Sequence, residues 1–325
     1  EYSDKADALL LGIEYDKTSS FGKGADKGPR AILNCFDTQL ELYERLTKWS
    51  PARHIKISSF TLSDLKNKKP ELMVKEVSSE ITKRFKDHKF IITLGGEHSI
   101  TIGILDALKN QRFLGHKQNQ DFAVQKIQRI FSHQKRKAFF SAWSKTKFRN
   151  QITVLQIDAH LDLREDDSDY SINPSKFAHS CVMKRALDMG FKIVPVGIRA
   201  YADFELKIAK ANNVTIFEWP CDENKKMIEK IINSIKTQNV YITLDVDGID
   251  PAHMPATGTP VQGGLSWRFT LKLLKEVFAK KNVVGADIVE VAPKENEQLT
   301  EFGAAQLCYY MIALKFKHQN STYVS

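Results

Sequence analysis

The sequence predicts an α/β fold, a single three-layer domain in which helices cover both faces of a mostly parallel β-sheet. Three observations support this prediction. Short apolar runs recur along the chain, their hydrophobicity is continuous rather than alternating, and amphipathic stretches separate them. Continuous runs are typical of strands that are buried on both faces, and strands that alternate with helices indicate parallel connections.

Six apolar runs are the predicted strands, and they span residues 8–13, 90–94, 152–157, 193–196, 240–244 and 283–289. Predicted helices lie between them, at residues 71–85, 99–108, 181–187 and 271–278. With 325 residues the chain has the length of one large α/β domain, which buries a core without disulfide or metal staples. Any metal site is therefore expected to be functional rather than structural.

The composition is ordinary for a globular protein, with 42% hydrophobic and 27% charged residues. No apolar run approaches the ~20 residues of a membrane span. The four cysteines form no CxxC pair, which is typical of reduced thiols. We therefore expect a cytoplasmic protein without membrane contact.

The positive charge of the chain lies in one segment. The formal net charge is +9, and residues 111–150 alone hold ten Lys and Arg residues against one acid, Asp121. The remainder has 38 basic and 38 acidic residues, so nucleic-acid binding by the main body is not expected. We interpret residues 111–150 as a basic helical insertion that interrupts a domain otherwise spanning residues 1–325.

The insertion carries helix-spaced apolar and basic residues, and its Ile127 and Gln128 have a partial likeness to a calmodulin-type IQ motif. Three interpretations stay open: a hairpin that packs on its own domain, a surface for an acidic partner, or a nucleic-acid contact. We predict that it lies outside the active-site crevice. Deleting residues 111–149 is expected to preserve metal binding and most of kcat.

Residues of metal-ligand type directly follow four of the six predicted strands. They are His98 after the second strand, Asp158, His160 and Asp162 after the third, Asp245 and Asp247 after the fifth, and Glu290 after the sixth. In open parallel sheets, ligands bind outside the carboxyl ends of the strands. Four distant segments are therefore expected to meet at one crevice.

The spacing within these groups favours a shared metal site. Alternate residues of an extended chain share a face, so Asp158, His160 and Asp162 can reach one position. The six candidate ligands before Glu290 comprise four carboxylates and two imidazoles, which suit Mn²⁺ better than a structural Zn²⁺. Four packed carboxylates repel one another unless cations compensate them. We therefore predict two Mn²⁺ per chain.

At these residues the sequence resembles the ureohydrolase family, which comprises arginases, agmatinases and related guanidino- and formimino-hydrolases. The matching motifs are GGEHS at 95–99, DAHLD at 158–162, DVDGIDP at 245–251, PATGTP at 255–260, GGL at 263–265 and EVAP at 290–293. The resemblance covers nearly the whole chain outside residues 111–150. It implies an arginase-like fold, assembly as a homotrimer or hexamer, and hydrolysis of a C–N bond in a linear amidine.

The resemblance also implies a role for each site residue. His98 and Asp162 would bind one Mn²⁺, His160 and Asp247 the other, and Asp158 and Asp245 would bridge the two ions. Asp162 would also orient the attacking hydroxide. Glu290 stands at the guanidinium-binding position, Thr257 lies in a substrate-binding loop expected beside the metals, and His179 matches the proton-shuttle histidine.

Agmatine is the first candidate substrate, and its hydrolysis to putrescine and urea is a step of polyamine biosynthesis. Arg164 stands where arginases have an asparagine, and the run AHSCVM at 178–183 is similar to agmatinases. The acidic residues Glu165, Asp166, Asp167 and Asp169 either favour a dication such as agmatine or belong to a solvated loop. Other guanidino compounds, arginine and formiminoglutamate follow in that order.

Two interpretations from other classes stay open. A ureohydrolase fold that serves only as a binding subunit would hold no metal, whereas about two Mn²⁺ per chain would support an enzyme. A deacetylase-like amidohydrolase with a single Zn²⁺ would leave the second aspartate of each pair without a role.

Overall fold

The protein is described by a computed structural model over residues 5–110 and 152–320. The basic insertion at residues 111–150 lies outside the described residues, so its helical character and surface position stay predictions. Among the helices of the two described ranges, none combines the length and the apolar composition required to cross a membrane.

One sheet of eight parallel strands forms the centre of the fold, with the order β2-β1-β3-β8-β7-β4-β5-β6. The strands are β1 (Ala8–Ile13), β2 (Ile57–Leu62), β3 (Phe90–Gly95), β4 (Ile152–Ile157), β5 (Lys192–Ile198), β6 (Phe217–Glu218), β7 (Asn239–Asp245) and β8 (Asn282–Val289). All six predicted strands are present. The two additional strands, β2 and β6, lie at the edges of the sheet.

The described ranges contain eight α-helices, seven between strands and one after the last strand, and the predicted helices are all among them. They are α1 (Gly28–Thr38), α2 (Pro70–Arg84), α3 (Ile100–Asn110), α4 (Val182–Asp188), α5 (Asp203–Ala211), α6 (Lys225–Ser234), α7 (Trp267–Lys280) and α8 (Leu299–Asn320). Side-chain hydrogen bonds to the backbone cap the first turns of some of these helices. The side chains of Asn224 and Ser266, for example, accept the backbone N–H groups of Met227 and Phe269 at the first turns of α6 and α7.

Two hydrophobic cores lie on opposite faces of the sheet. Helices α1, α6, α7 and α8 contribute to one core, with Ile32 and Leu273 fully buried. Helices α2 to α5 contribute to the other, with Val77 and Leu105 fully buried. The central strands are buried along almost their whole length, as continuous apolar runs require. The predicted three-layer α/β fold is confirmed.

The strand order brings the four ligand-bearing segments together. Strands β3, β8, β7 and β4 are consecutive neighbours, and these are the four strands that precede the candidate ligands. Ile157 pairs with Leu244, and Leu244 pairs with Ile288, so the carboxyl ends of the three strands lie at one level. Segments far apart in sequence therefore open onto a single crevice.

Candidate active site

The GGEHS segment turns sharply at the carboxyl end of β3. Gly96 lies against Tyr15, where any Cβ atom would collide with the Tyr15 carbonyl oxygen. Glu97 is fully buried and accepts hydrogen bonds from the Thr18 backbone N–H, the Thr18 hydroxyl and the Ser99 hydroxyl, each at 2.6 Å. These contacts hold the segment against the loop that follows β1.

The His98 ring reaches the centre of the crevice and faces three carboxylates. Its Nδ1 atom lies 2.9 Å from Asp162 Oδ2, 3.2 Å from Asp158 Oδ2 and 3.5 Å from Asp245 Oδ2. This Nδ1 is buried, and it has no hydrogen-bond partner in the described part of the chain. A buried nitrogen without a partner, surrounded by carboxylates, is the arrangement expected of a metal ligand.

The other nitrogen of His98 is held by a chain of hydrogen bonds. Nε2 lies 2.8 Å from the Thr243 hydroxyl, which in turn donates to Asp287 Oδ1 at 2.6 Å. Asp287 also accepts hydrogen bonds from Tyr241 and Thr101 and is fully buried. Because the Thr243 proton is directed to Asp287, its oxygen is free to accept the Nε2 proton. That tautomer leaves a lone pair on Nδ1.

A second group of ligand-type atoms lies beside the first and shares Asp158 with it. His160 Nδ1 lies 3.1 Å from Asp247 Oδ2 and 3.5 Å from Asp158 Oδ1. In each of the two groups, one around His98 and one around His160, the donor atoms lie within 4.8 Å of one another. Asp158 turns Oδ2 towards His98 and Oδ1 towards His160, so one carboxylate serves both groups.

The buried charges shift the pKa values in the direction expected for a cluster that needs cations. Burial raises the pKa of Asp245 well above its ordinary value, and Asp247 and Asp158 raise it further. Burial, with the charge of Asp158, raises the pKa of Asp162 to about 6. Burial alone would lower the pKa of His98, but the adjacent charged carboxylates of Asp162 and Asp158 raise it well above its ordinary value. The cluster therefore favours bound positive charge.

Two residues of the crevice have strained backbones. Asp162 has φ 54° and Glu290 has φ 65°, in the left-handed region that costs a non-glycine residue roughly 1–2 kcal/mol. Each lies just beyond a strand of the ligand-bearing set. Such strain persists where the surroundings determine the conformation, and it is concentrated at functional sites.

Glu290 and His179 lie side by side next to the aspartate cluster. Glu290 Oε1 accepts the backbone N–H of His98 at 2.7 Å and lies 3.6 Å from His179 Nδ1. The backbone N–H of His179 donates to the Thr18 hydroxyl at 3.0 Å. Burial lowers the pKa of His179, but Glu290, Glu97 and Asp162 together outweigh this effect and raise it. His179 Nε2 has no hydrogen-bond partner among the described residues.

An open cavity of about 370 Å³ lies against this cluster. Its walls include Asp162, His160 and His179, together with Glu205 and Tyr201 from the segment that follows β5. The cavity thus joins the candidate metal ligands to a region that can hold the rest of a small substrate.

The four acids that follow DAHLD all have partners within the protein. Glu165 pairs with Lys184 and Arg185, Asp166 accepts the N–H of Ser168, Asp167 accepts the N–H of Ser175, and Asp169 pairs with Arg164. These contacts favour the interpretation of this run as a structural loop over that of a binding site for a dication.

Comparison with known proteins decides the family. The model of the Arginase family matches residues 6–124 and 133–313. This chain belongs to the arginase family. It is 33% identical to the N(1)-aminopropylagmatine ureohydrolase of Synechocystis, over 96% of this chain and 89% of that protein. It is 26% identical to the agmatinase of Pyrococcus horikoshii, over 95% and 92% of the two chains.

A solved structure supports the same assignment. The agmatine ureohydrolase of Thermoplasma volcanium is 28% identical to this arginase-family chain and superposes with a TM-score of 0.73, covering 99% of this chain and 93% of that one. The predicted family, the arginase-like fold and the enzyme class of amidino hydrolases are therefore confirmed.

In this arginase-family protein two neighbouring threonines have different surroundings. Thr257, which the sequence analysis placed beside the substrate, is buried and forms a bridge with Val291, and its hydroxyl has no hydrogen-bond partner in the described ranges. Thr259 lines the cavity, and its hydroxyl donates to Asp247 Oδ2 at 3.1 Å. The structure thus brings Thr259 to the cavity and Thr257 to the interior behind it.

Arg199 is a residue of the site that the sequence analysis did not include. It follows β5. Within the described part of the chain, its guanidinium donates solely to backbone carbonyl oxygens, which are those of Gly197, Asp247, Gly248, Val261 and Gln262. Burial lowers the pKa of Arg199, and the nearby charges of Asp247 and Asp158 oppose this shift, although no ion pair joins them to Arg199 in the described ranges. Its position three residues after the predicted strand at 193–196 is the signal that could have found it.

Proposed function

We propose that this protein is a binuclear manganese hydrolase that cleaves a guanidino-alkylamine, with agmatine as the first candidate, into urea and the corresponding amine. The observation that carries the proposal is the placement of Asp158, whose two carboxylate oxygens are divided between two ligand groups. A single-ion site needs no such division. The proposal extends to the metal, the substrate and the role of each residue.

The donors fit a pair of hard divalent ions. His98 and Asp162 are assigned to one ion, His160 and Asp247 to the other, and Asp158 and Asp245 to both. Four carboxylates and two imidazoles without a thiolate favour Mn²⁺ over a structural Zn²⁺. When bound, two such ions lower the pKa of a shared water, which supplies the nucleophile that a resonance-stabilised guanidinium requires.

The remaining residues act on the substrate. Glu290 is assigned to the guanidinium, because its carboxylate is buried and held in place by the His98 backbone N–H. His179 is assigned to the leaving amine, since its Nε2 is unpartnered and its ring borders the cavity. Glu290 beside Nδ1 favours the protonated imidazole, which can give a proton to the departing nitrogen.

The cavity favours an amine over an amino acid as the substrate. Arginine would require a cation for its α-carboxylate. Arg164 is the one arginine or lysine that lines the cavity within the described ranges, and its charge is paired with Asp169. Other guanidino acids meet the same difficulty.

A second candidate is a longer amine, N(1)-aminopropylagmatine, on which the Synechocystis relative acts according to its name. The observation that favours it is the cavity rim. There Tyr201 is 40% exposed, and its hydroxyl donates to the exposed carboxylate of Glu218. An aromatic ring hydrogen-bonded to a carboxylate can bind the terminal ammonium group of a substrate that is longer than agmatine.

Urea release from a panel of guanidines tests the substrate, and metal analysis tests the centre. We expect about two Mn²⁺ per chain, and the highest kcat/KM for agmatine or aminopropylagmatine. Highest activity on arginine or on a guanidino acid would refute the amine assignment. A chain that binds no metal and releases no urea would instead be a binding subunit.

A further inference from the structure

Glu205 is a buried carboxylate in the cavity wall that the proposed chemistry does not use. It belongs to the first turn of α5, is 3% exposed and lines the cavity shared with Asp162 and His179. Oε1 accepts the backbone N–H of Leu163 at 2.9 Å, and Oε2 accepts that of Ala202 at 2.8 Å. These two donors hold the carboxylate rigidly at the cavity.

Among the described residues, the charge of Glu205 has no counter-ion. No lysine, arginine or histidine of residues 5–110 and 152–320 lies within 4.0 Å of it. An ionised carboxylate has about four acceptor positions, and two N–H donors leave two of them unfilled. A buried charge without a counter-ion is costly, so a cation that enters the cavity gains a strong interaction there.

We propose that Glu205 binds the ammonium group of the substrate, at the end of the alkyl chain opposite the guanidinium. This inference rests on the proposed function and adds the group that selects the substrate class. Glu290 and Glu205 would then hold the two cationic ends of one guanidino-alkylamine. A guanidino acid would place its carboxylate against Glu205 and be repelled.

Arg164, the arginine that lines the described cavity, does not oppose this assignment. Arg164 is paired with Asp169, and its guanidinium carbon lies 5.4 Å from the ring centre of Phe204 and 5.9 Å from that of Tyr170. Its charge is therefore compensated, while that of Glu205 is not. A carboxylate accepts hydrogen bonds from a secondary ammonium as well as from a primary one. An aminopropyl group attached to that nitrogen can therefore continue towards Tyr201.

The main alternative is that Glu205 serves only to start α5, since Ala202 and Leu163 both donate to it. A comparison of two substrates within one variant separates these roles. Glu205→Gln keeps a side-chain oxygen for one of the two donors and removes the charge. Agmatine carries the ammonium group, whereas butylguanidine has the same guanidinium and carbon chain without it. A damaged helix start would affect both substrates equally.

For the manganese-loaded protein, we expect Glu205→Gln to lower kcat/KM for agmatine about 30-fold or more, because one partner of a buried charge pair is lost. For butylguanidine we expect a change of less than about threefold, since neutral Gln meets no charged group there. The matched control is Asp203→Asn, which removes the same charge from the first turn of α5. Asp203 is exposed, pairs with Lys207 and should leave both substrates unaffected.

Calorimetry of agmatine binding to wild type and to Glu205→Gln tests the ammonium site independently of urea release. If wild type binds agmatine through Glu205 without releasing urea, the binding site stands and the proposed reaction fails. If urea is released and Glu205→Gln lowers kcat/KM for agmatine and butylguanidine by the same factor, or for neither of them, the Glu205 assignment fails and the reaction stands. Absence of both binding and urea release overturns both.

Discussion

The guanidinium of Arg199 donates a 2.6 Å hydrogen bond to the backbone carbonyl oxygen of Asp247, directly behind the candidate metal centre. The same guanidinium also binds carbonyl oxygens of β5 and of the segment that carries Thr259. It therefore connects three segments of the chain through hydrogen bonds to their backbone carbonyl oxygens. Asp247 is the ligand-type residue that depends most directly on this connection.

Arg199→Met should weaken the ion assigned to His160 and Asp247 more than the ion assigned to His98. Five carbonyl oxygens lose the guanidinium as a donor. Gly248 keeps the backbone N–H of Leu265, and each carbonyl left buried without any donor costs about 1–3 kcal/mol before the backbone relaxes. We expect metal analysis after dialysis to give close to one Mn²⁺ per chain instead of two. Arg199→Lys should restore the second ion only in part, because an ammonium cannot reproduce the planar arrangement of N–H donors of a guanidinium. Two tightly bound ions in Arg199→Met would contradict this role.

The second prediction concerns the hydrogen-bond chain from Asp287 through Thr243 to His98. Asp287→Asn removes the charge that orients the Thr243 hydroxyl, so His98 should be held less firmly with Nδ1 towards the metal. Loss of a residue that orients a metal ligand typically lowers metal affinity 10–100-fold. We expect titration of the metal-free protein to show an Mn²⁺ affinity about tenfold weaker than that of wild type. The matched control is Tyr241→Phe, which removes a different donor to Asp287 and leaves Thr243 in place.

How far the sequence predicts this fold depends on how completely each element is buried. The bounds of β1 and β4 were predicted to the residue, because each is mainly apolar and is buried along its whole length. Strand β2, with the sequence ISSFTL, was missed since it lies at the sheet edge, is half-exposed and carries polar residues. Strand β6 has only two residues, too few for any periodic signal.

The residues of the site also differ in how far the sequence predicts them. Carboxylates and imidazoles at strand ends have a recognisable chemistry, so the residues around Asp158 could be selected from the sequence. Arg199 and Glu205 were not selected, because the contacts that make them important join residues 48–63 and 42 positions apart in the sequence, respectively. The distinction between Thr257 and Thr259 also depends on which side chain the loop turns towards Asp247.

The third prediction tests His179 as the group that protonates the leaving amine. His179→Asn should lower kcat about 100-fold or more, since general acids contribute 10²–10⁴-fold. Metal content should stay at the wild-type value, because the assigned ligands do not include His179. His54→Asn, a change at an exposed histidine that stacks on Trp49, is the control and should leave kcat unaltered. An unchanged kcat in His179→Asn would refute the assignment.

The fourth prediction is that the metal-free protein becomes less stable as pH rises, and that Mn²⁺ reverses this trend. In the folded chain the pKa of Asp162 is raised to about 6, above the ~3.9 of an unfolded aspartate. The pKa values of His98 and His160 are also raised well above 6.5. The folded state therefore holds more protons than the unfolded chain, so the free energy of unfolding falls as pH increases from about 4.

The lowered pKa of Asp158 does not alter this sign, because that carboxylate is already ionised in both states above about pH 5. Divalent ions displace the protons, so Mn²⁺ should raise Tm more at pH 8 than at pH 5.5. The measurement is a set of thermal melts with and without Mn²⁺ across this range. Asp245→Asn, which removes one charge from the cluster, should flatten the slope of the metal-free protein. A metal-free protein whose Tm rises steadily from pH 5.5 to 8 would show that the cluster does not hold these protons.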